Sequence, residues 1–391
     1  MIRTRKIQLI NSLKENYKES LILNPTENIP FYSNDNLDFL EGMYIPEEVR
    51  DENSKVIFAG RNNLNKLYDD WCNYLGAQAV TFKPHSGLDA HISAFMSMGE
   101  IGEKVLLLQE EAGGHFSTNQ ILSRLGFDVK NFITDNTKYK VDVSRSIELI
   151  ESWKPDYIFV DRSEGLYYEN FAWLKEFPCI KVFDASQYLT NIMAKDYINP
   201  FDMGFDLVLT SLHKNYPGPQ KAAIFFRQKD YLWERIMKGL NTYISNIHPK
   251  DICNLLLNLP PKNVIKNYSQ NMLSAARLLE EGLAQYQLPI IKRDYNNMIT
   301  QHIWILPESK KKAYQFFRIL EELHILTNYR LLPYRLGYGL RLGTAAAVRQ
   351  GLEDTSIPSL VEIVSRAYYA NNIDNALKKA ARDVINTIKK G

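Results

Sequence analysis

Short apolar segments alternate with segments of helical spacing from about residue 60 to residue 227. Each apolar segment is bounded by charged residues, Gly or Pro, which is typical of strands buried in a parallel sheet. The predicted strands are Ala79 to Phe82, Lys104 to Leu108, Asp156 to Val160, Ile180 to Phe183 and Asp206 to Leu209, with Ala222 to Phe226 as an antiparallel strand. The alternation predicts an α/β fold with a mostly parallel sheet, in which functional side chains lie at the C-terminal ends of strands.

The pattern changes after residue 227. Helical spacing over residues 263 to 283, two strand-like segments (Met298 to Leu306 and Gly339 to Leu342) and a helical tail after Ile357 predict a second, smaller domain of the α+β class. The pair Pro260 and Pro261 interrupts two helical patterns and marks the boundary. We therefore predict an N-terminal arm over residues 1–50, a large domain over 51–260 and a small domain over 261–391.

Composition and charge exclude several classes of protein. The 391 residues are 45% apolar, and 47 basic against 45 acidic residues leave a net charge of +2 without any block of like charge. Such a balance provides no field for nucleic acid or a membrane surface. The three cysteines lack the spacing of a disulfide framework or a zinc site, so no metal is predicted. Without a signal peptide pattern or an uncharged run of about 20 residues, a cytoplasmic protein is expected.

The segment Thr210 to Pro219, T-S-L-H-K-N-Y-P-G-P, carries the most informative chemistry. It places Lys214, with His213 beside it, directly after a predicted strand. A lysine at a strand end can be desolvated and positioned to form a Schiff base with a carbonyl group. A solvated strand terminus is the ordinary alternative, so the interpretation depends on what else lies near.

Pyridoxal 5'-phosphate (PLP) needs an amine, an acid at its ring nitrogen, a partner for its ring face and an anion cradle. Asp184 ends a predicted strand and can hold the ring nitrogen protonated; its alternative role is a turn cap. Ser86 and Gly87 lie between a strand and a helix, where backbone N–H groups face an anion, although a simple N-cap has the same sequence. Ser211 can add a second hydroxyl group.

Two further residues complete the pattern. His115 follows two glycines after a predicted strand, so its ring can lie over the cofactor; a surface histidine is the alternative. Arg341 lies in the glycine-flanked, apolar segment G-L-R-L-G, where a guanidinium suits the carboxylate of an amino acid substrate better than it suits packing.

In this order the motifs resemble those of serine hydroxymethyltransferases and their relatives among fold-type I PLP-dependent enzymes. The similar segments are F-K-P-H-S-G, A-G-G-H-F-S, F-D-A-S-Q, T-S-L-H-K-N-Y-P-G-P and G-L-R-L-G-T-A-A, with L-I-L-N-P-T-E-N near the N-terminus. The resemblance implies the aspartate aminotransferase-like fold, with a seven-stranded sheet in the large domain and a smaller C-terminal α+β domain. It also implies PLP as cofactor, an amino acid substrate and a homodimer with shared active sites.

The resemblance implies a role for each matching residue. Lys214 forms the Schiff base, Asp184 binds the ring nitrogen, His115 stacks on the ring and Arg341 binds the substrate carboxylate. The remaining assignments are Ser86, Gly87 and Ser211 at the phosphate, Thr26 at the carboxylate, Ser163 and Gln187 near the ring hydroxyl, and Glu41 as a proton-handling carboxylate from a loose alignment. Gln187 stands where the family has histidine, and it cannot titrate near neutral pH.

The departures from the family fall around the substrate, which favours a specialised substrate and a reaction without tetrahydrofolate. The first hypothesis is carbon–carbon bond chemistry on a β-hydroxy amino acid: hydroxymethyl transfer, aldol cleavage or transaldol exchange. An aminotransferase, in which Lys214 moves a proton between the substrate and the cofactor, is the alternative within PLP chemistry. A non-catalytic protein that retains the fold and binds PLP or a partner is the alternative of another class.

Overall fold

The structure, a computed structural model, describes residues 14–32, 35–44, 49–50, 56–58, 62–63 and 65–390. Their contacts divide them into two compact units. The large unit comprises the described residues of 29–269 together with 296–298, and the small unit comprises those of 1–28, 270–295 and 299–391. Part of the predicted N-terminal arm lies outside the described residues, and the predicted domain boundaries remain predictions.

A seven-stranded sheet forms the centre of the large unit. Its strands are β1 (Ala79–Thr81), β2 (Lys104–Leu107), β3 (Asp128–Asn131), β4 (Tyr157–Val160), β5 (Ile180–Asp184), β6 (Leu207–Ser211) and β7 (Ala222–Phe226). The spatial order is β1-β7-β6-β5-β4-β2-β3, and only β7 runs against its neighbours. This confirms the predicted mostly parallel sheet and its antiparallel strand. The parallel strands β4, β5 and β6 are mostly apolar because both faces of the sheet are covered; the polar residues are Lys181 near the start of β5, Asp184 at its end, and Thr210 and Ser211 at the end of β6.

Helices cover this sheet. They are α1 (Asn65–Leu75), α2 (Gly87–Met98), α3 (Thr118–Arg124), α4 (Val143–Trp153), α5 (Leu189–Met193), α6 (Tyr231–Tyr243) and α7 (Pro249–Leu257); α8 (Lys262–Gln285) continues into the small unit. Helix α2 follows β1 after a short turn, and it packs Ala90, Ala94 and Phe95 into the core beneath the sheet. The start of α2 is therefore fixed beside the ends of the central strands.

Shorter elements complete the large unit. The short strands are Val49–Arg50, Val56–Phe58, Asn62–Asn63, Thr134–Asp135 and Lys140–Val141, and the 3-10 turns are Asp35–Leu40, Glu110–Ala112 and Ala172–Glu176. The second of these turns lies directly before Gly113 and starts the loop that carries His115.

The small unit contains an antiparallel sheet of β8 (His302–Ile305), β9 (Asn328–Leu332) and β10 (Gly337–Gly343), with β10 in the centre. Its helices are α9 (Lys310–Glu322), α10 (Ala345–Arg349), α11 (Ile357–Tyr369) and α12 (Asn375–Ile388), with a 3-10 turn at Asp354–Ser356. Residues 14–19 are also helical, and the strand Leu21–Ile22 pairs in parallel with Ile325–Leu326. Among the helices that the structure describes, none has the length and apolar character needed to cross a membrane.

Candidate active site

Lys214 lies in a fixed loop just after the end of β6. The loop is closed at its base by a hydrogen bond from the Gly218 N–H to the Leu212 carbonyl (2.8 Å). The side chain of Asn215 holds the loop from below, because its Oδ1 accepts from the Thr190 N–H (2.7 Å) and its Nδ2 donates to Asn191 (2.9 Å). The half-buried lysine is therefore presented from a rigid support.

Asp184 ends β5, the strand that pairs with β6, and its side chain is buried. One carboxylate oxygen accepts from the Ser186 N–H (2.7 Å), and the other lies 3.1 Å from Nε2 of His91. Burial alone would raise the pKa of Asp184. The hydrogen bond and charge of His91, the charge of Lys214 and the Ser186 contact outweigh burial, and they hold that pKa below its usual range. The carboxylate of Asp184 is therefore held in its ionised form within the electrostatic reach of Lys214.

An anion cradle lies between the start of α2 and the end of β6. Ser86 caps α2 by accepting from the Asp89 N–H (3.1 Å), so further N–H groups of the first turn are open at the helix end. A Cβ on Gly87 would lie 3.2 Å from the Cβ of Ser211. The Ser211 hydroxyl is buried and has no hydrogen-bonding partner among the described residues. A helix end, a glycine and an unpaired hydroxyl at one place fit a phosphate group, so these residues suit PLP.

The loop that carries His115 depends on its two glycines. Gly113 has φ of +87°, and a Cβ there would lie 2.0 Å from the Glu164 carbonyl oxygen, while a Cβ on Gly114 would lie 2.3 Å from that of Leu108. The backbone N–H of His115 donates to Asp161 at 3.3 Å. The His115 ring lies 5.8 Å from the ring of His91, which in turn contacts Asp184. The loop therefore brings His115 to the same region as Asp184.

Three other predicted residues lie on turns that follow these strands. His213 is adjacent to Lys214; burial and the charge of Lys214 lower the pKa of His213 to about 4, so its ring is neutral at physiological pH. Gln187 is buried on the turn after β5, and Ser163 is half-buried after β4. All three positions belong to the C-terminal edge of the sheet.

Two predicted substrate contacts lie in the small unit. Arg341 is on the central strand β10 and is only 2% exposed. Thr26 is held by Asn24, whose Oδ1 accepts from the Thr26 hydroxyl at 2.9 Å. The two segments are neighbours, because the N–H of Gly343 donates to the Leu23 carbonyl at 2.8 Å.

Glu41 differs from the other predicted residues because it is exposed. Its carboxylate lies 2.6 Å from Nζ of Lys250, which also contacts Asp38 at 2.8 Å. Hydrogen bonds to these two carboxylates raise the pKa of Lys250. Glu41 lines a surface groove together with Leu40, residues 42–44, Asn246 and residues 248–251.

Two buried residues of the site were not predicted from the sequence. His91 lies on α2 and contacts Asp184, and Asp161 follows β4 and accepts from His115. Burial raises the pKa of Asp161 to about 7, against the lowering effect of the His91 charge. A histidine four residues after Gly87, on the same helical face, was the available signal for His91.

Comparisons with known proteins give one consistent relationship. No protein-family model matches the chain. It is 26% identical over 306 residues to a serine hydroxymethyltransferase of Aeropyrum pernix, covering 75% of this chain and 70% of that protein. The serine hydroxymethyltransferase of Metallosphaera sedula is 22% identical over 337 residues, which cover 83% of this chain and 78% of that protein.

The fold is also that of a solved enzyme. The crystal structure of L-threonine transaldolase from Pseudomonas fluorescens in internal aldimine state matches with a TM-score of 0.86 and 20% identity, over 99% of this chain and 93% of that chain. The sheet order, the strand-end residues and these relatives agree with one another. The chain has the fold of fold-type I PLP-dependent enzymes and is similar in sequence to serine hydroxymethyltransferases.

Proposed function

We propose that this chain is a PLP-dependent enzyme that makes or breaks a carbon–carbon bond of a β-hydroxy amino acid. The reaction is hydroxymethyl transfer, aldol cleavage or transaldol exchange. The observation that carries the proposal is the position of Lys214 after β6, where its charge acts on the ionised Asp184 at the end of β5. The names of the relatives, serine hydroxymethyltransferase and L-threonine transaldolase, support this class of chemistry.

Each residue at the sheet edge has a proposed task. PLP, when bound, draws electrons from a bond at the α-carbon of an amino acid. Lys214 supplies the amine that tethers the cofactor, and Asp184 accepts a hydrogen bond from the protonated ring nitrogen. The other proposed contacts are Ser86, Gly87 and Ser211 with the phosphate, His115 with the ring face, and Gln187 and Ser163 with the ring hydroxyl. The neutral ring of His213 keeps a second positive charge away from Lys214.

The substrate side determines which bond reacts. We propose that Arg341, with Thr26, binds the substrate carboxylate and so fixes the rotation of the substrate about its α-carbon. With its amine free, Lys214 would take or return a proton at Nζ, and Glu41 would be the second proton-handling group. The sequence departures near the substrate favour a specialised amino acid and a reaction that does not use tetrahydrofolate.

A homodimer with shared active sites is part of the proposal. The resemblance to serine hydroxymethyltransferases implies it, and the exposure of Glu41 on its own subunit is compatible with a site completed at an interface. Light scattering during gel filtration would measure the mass directly, and a monomer at working concentration would contradict this part.

The reaction is tested by its products. The PLP-loaded protein is incubated with L-serine or L-threonine, with and without an acceptor aldehyde, and without tetrahydrofolate. We expect glycine and a free aldehyde, or a new β-hydroxy amino acid when the acceptor is present. Accumulation of an oxo acid and pyridoxamine phosphate would instead establish an aminotransferase.

A further inference from the structure

His91 is a buried titratable residue to which the proposed function assigns no task. It lies on α2, and its Nε2 is 3.1 Å from Oδ2 of Asp184. The two side chains are 4% and 5% exposed, so solvent does not weaken the contact. Because an ionised carboxylate can only accept hydrogen bonds, Nε2 must carry the proton that is shared with Asp184.

Aromatic contacts on two sides fix the orientation of the His91 ring. It meets Phe159 of β4 edge-on at 4.9 Å and 90°, and it meets His115 at 5.8 Å and 82°. Edge-to-face contacts of this kind have a preferred geometry and resist rotation of the ring. Nε2 is therefore directed at Asp184 by packing as well as by the hydrogen bond.

Helix α2 connects this contact to the anion cradle. Gly87 and His91 are four residues apart, so they lie on one face of the helix, about 6 Å apart along its axis. The start of α2 is where the cofactor phosphate is proposed to bind. The same rigid helix therefore determines both the position of the phosphate and, through His91, the position of Asp184.

The two buried acids near His91 have opposite environments. Asp161 accepts a hydrogen bond from the His115 backbone N–H on Oδ2, and the Thr118 side chain also favours its ionised form, yet burial outweighs both contacts. Its pKa is raised to about 7 by burial, whereas that of Asp184 is lowered. Environments that shift the pKa values of two neighbouring carboxyl groups in opposite directions indicate that the two groups have different tasks. The carboxyl that stays charged is the one that His91 contacts.

We propose that His91 is a positioning residue that keeps Asp184 ionised and aimed at the ring nitrogen of the cofactor. Ser186 holds one carboxylate oxygen and His91 the other, and a carboxylate has about four acceptor positions, which leaves room for the ring N–H. The inference rests on the proposed function, because it assigns His91 a task toward PLP.

The test compares His91→Leu, which keeps bulk and loses the donor, with His91→Gln, which keeps an N–H donor. Ser93→Ala is the matched control, because Ser93 is buried on the same helix and donates only to the Asp89 carbonyl. Two quantities are measured: the Kd of the apoprotein for PLP, and the ¹⁵N resonance of the ring nitrogen in bound, ¹⁵N-labelled PLP. Neither readout depends on turnover.

We expect His91→Leu to raise the Kd about tenfold or more and to move the resonance toward that of an unprotonated pyridine, because a hydrogen bond to a charged group is lost. His91→Gln restores most of both values, and Ser93→Ala changes neither. A wild-type resonance and Kd in His91→Leu would overturn the proposal, and so would a His91→Gln variant as impaired as His91→Leu. If His91→Leu loses its helical circular dichroism, His91→Ala replaces it.

The failure of this inference can be told apart from the failure of the proposed function. If the wild-type protein never acquired the visible absorption of lysine-bound PLP, the proposed function would be refuted. Normal absorption in wild type, together with an unchanged ring-nitrogen resonance in the His91 variants, would remove only the task assigned to His91.

Discussion

The predicted site residues at the C-terminal ends of the strands of the large unit are positioned by different contacts from those on other segments. Asp184 and Ser211 end neighbouring strands and are buried, and the Lys214 loop is held by backbone and Asn215 contacts. Glu41, by contrast, is exposed and paired with Lys250. Strand ends are set by the register of the sheet, so their positions follow from the sequence pattern. Residues on other segments depend on contacts that the local sequence does not determine.

The largest expected effect comes from Lys214→Ala. Removing the amine should abolish the visible absorption of lysine-bound PLP and lower kcat by at least about 10²–10⁴-fold, the usual contribution of a positioned proton-transfer group. Absorption spectra of purified protein after adding PLP measure the first, and product formation measures the second. A spectrum like that of wild type would show that Lys214 is not the residue that binds PLP.

Arg341→Ala tests a residue of the small unit. Leaving the substrate carboxylate without its buried partner should weaken amino acid binding by about 2–5 kcal/mol while the cofactor spectrum stays unchanged. Isothermal titration with amino acid substrates measures the change. Equal affinities for both proteins would show that Arg341 stabilises the small unit and does not bind substrate.

Gly113→Ala tests whether the His115 loop needs a residue without a Cβ at this position. A Cβ there meets the Glu164 carbonyl at 2.0 Å in addition to the strain at φ of +87°, so the free energy of unfolding should fall by about 1–3 kcal/mol or more. Gly102→Ala is the matched control, because Gly102 has φ of +91° and nothing within 4 Å of a Cβ. Urea unfolding of both variants isolates the steric part, and similar losses in the two would contradict the crowding.

Asp161 makes the folding stability of the protein depend on pH. Its folded pKa of about 7 exceeds the unfolded value, so between about pH 4 and pH 7 the folded state binds more protons and stability falls as pH rises. Asp161→Asn should remove this contribution and gain stability relative to wild type at pH 8 but not at pH 5. Thermal unfolding of both proteins at the two pH values measures this gain in stability. If Asp161→Asn and wild type differed in stability by the same amount at pH 8 and pH 5, the raised pKa of Asp161 would be refuted.

Glu41→Gln should have the smallest effect on folding, because a surface ion pair contributes little to stability. If Glu41 handles protons, kcat falls while the unfolding curve is unchanged. Asp38→Asn is the control, since Asp38 contacts the same lysine. Equal activities of the two variants would remove Glu41 from the proposed site.

The sequence predicted the strands of the central sheet well because they are short apolar runs with clear ends. It did not predict β3, whose side chains alternate between exposed and half-buried at the sheet margin and therefore give no apolar run. The parallel pairing of Leu21 with Ile325 joins segments about 300 positions apart, which no local pattern indicates.

The candidate site divides in the same way. Lys214, Asp184 and Ser211 follow strands, so they could be found from the sequence. His91 and Asp161 could not, because the importance of each lies in a contact with a distant segment: His91 of α2 contacts Asp184 at the end of β5, and Asp161 after β4 contacts the His115 loop. A histidine inside an apolar helix otherwise suggests only packing.

The antiparallel pairing of β6 and β7 has a consequence for motion. Ser211 pairs with Ala222, and the amide of Leu212 donates to the Lys221 carbonyl, so the lysine loop is the bend of a hairpin inside the central sheet. The base of this bend can open only when the middle of the sheet separates. The amide protons of Leu212 and Gly218 should therefore exchange with deuterium nearly as slowly as global unfolding allows, and the backbone that carries Lys214 should keep its position when a ligand binds.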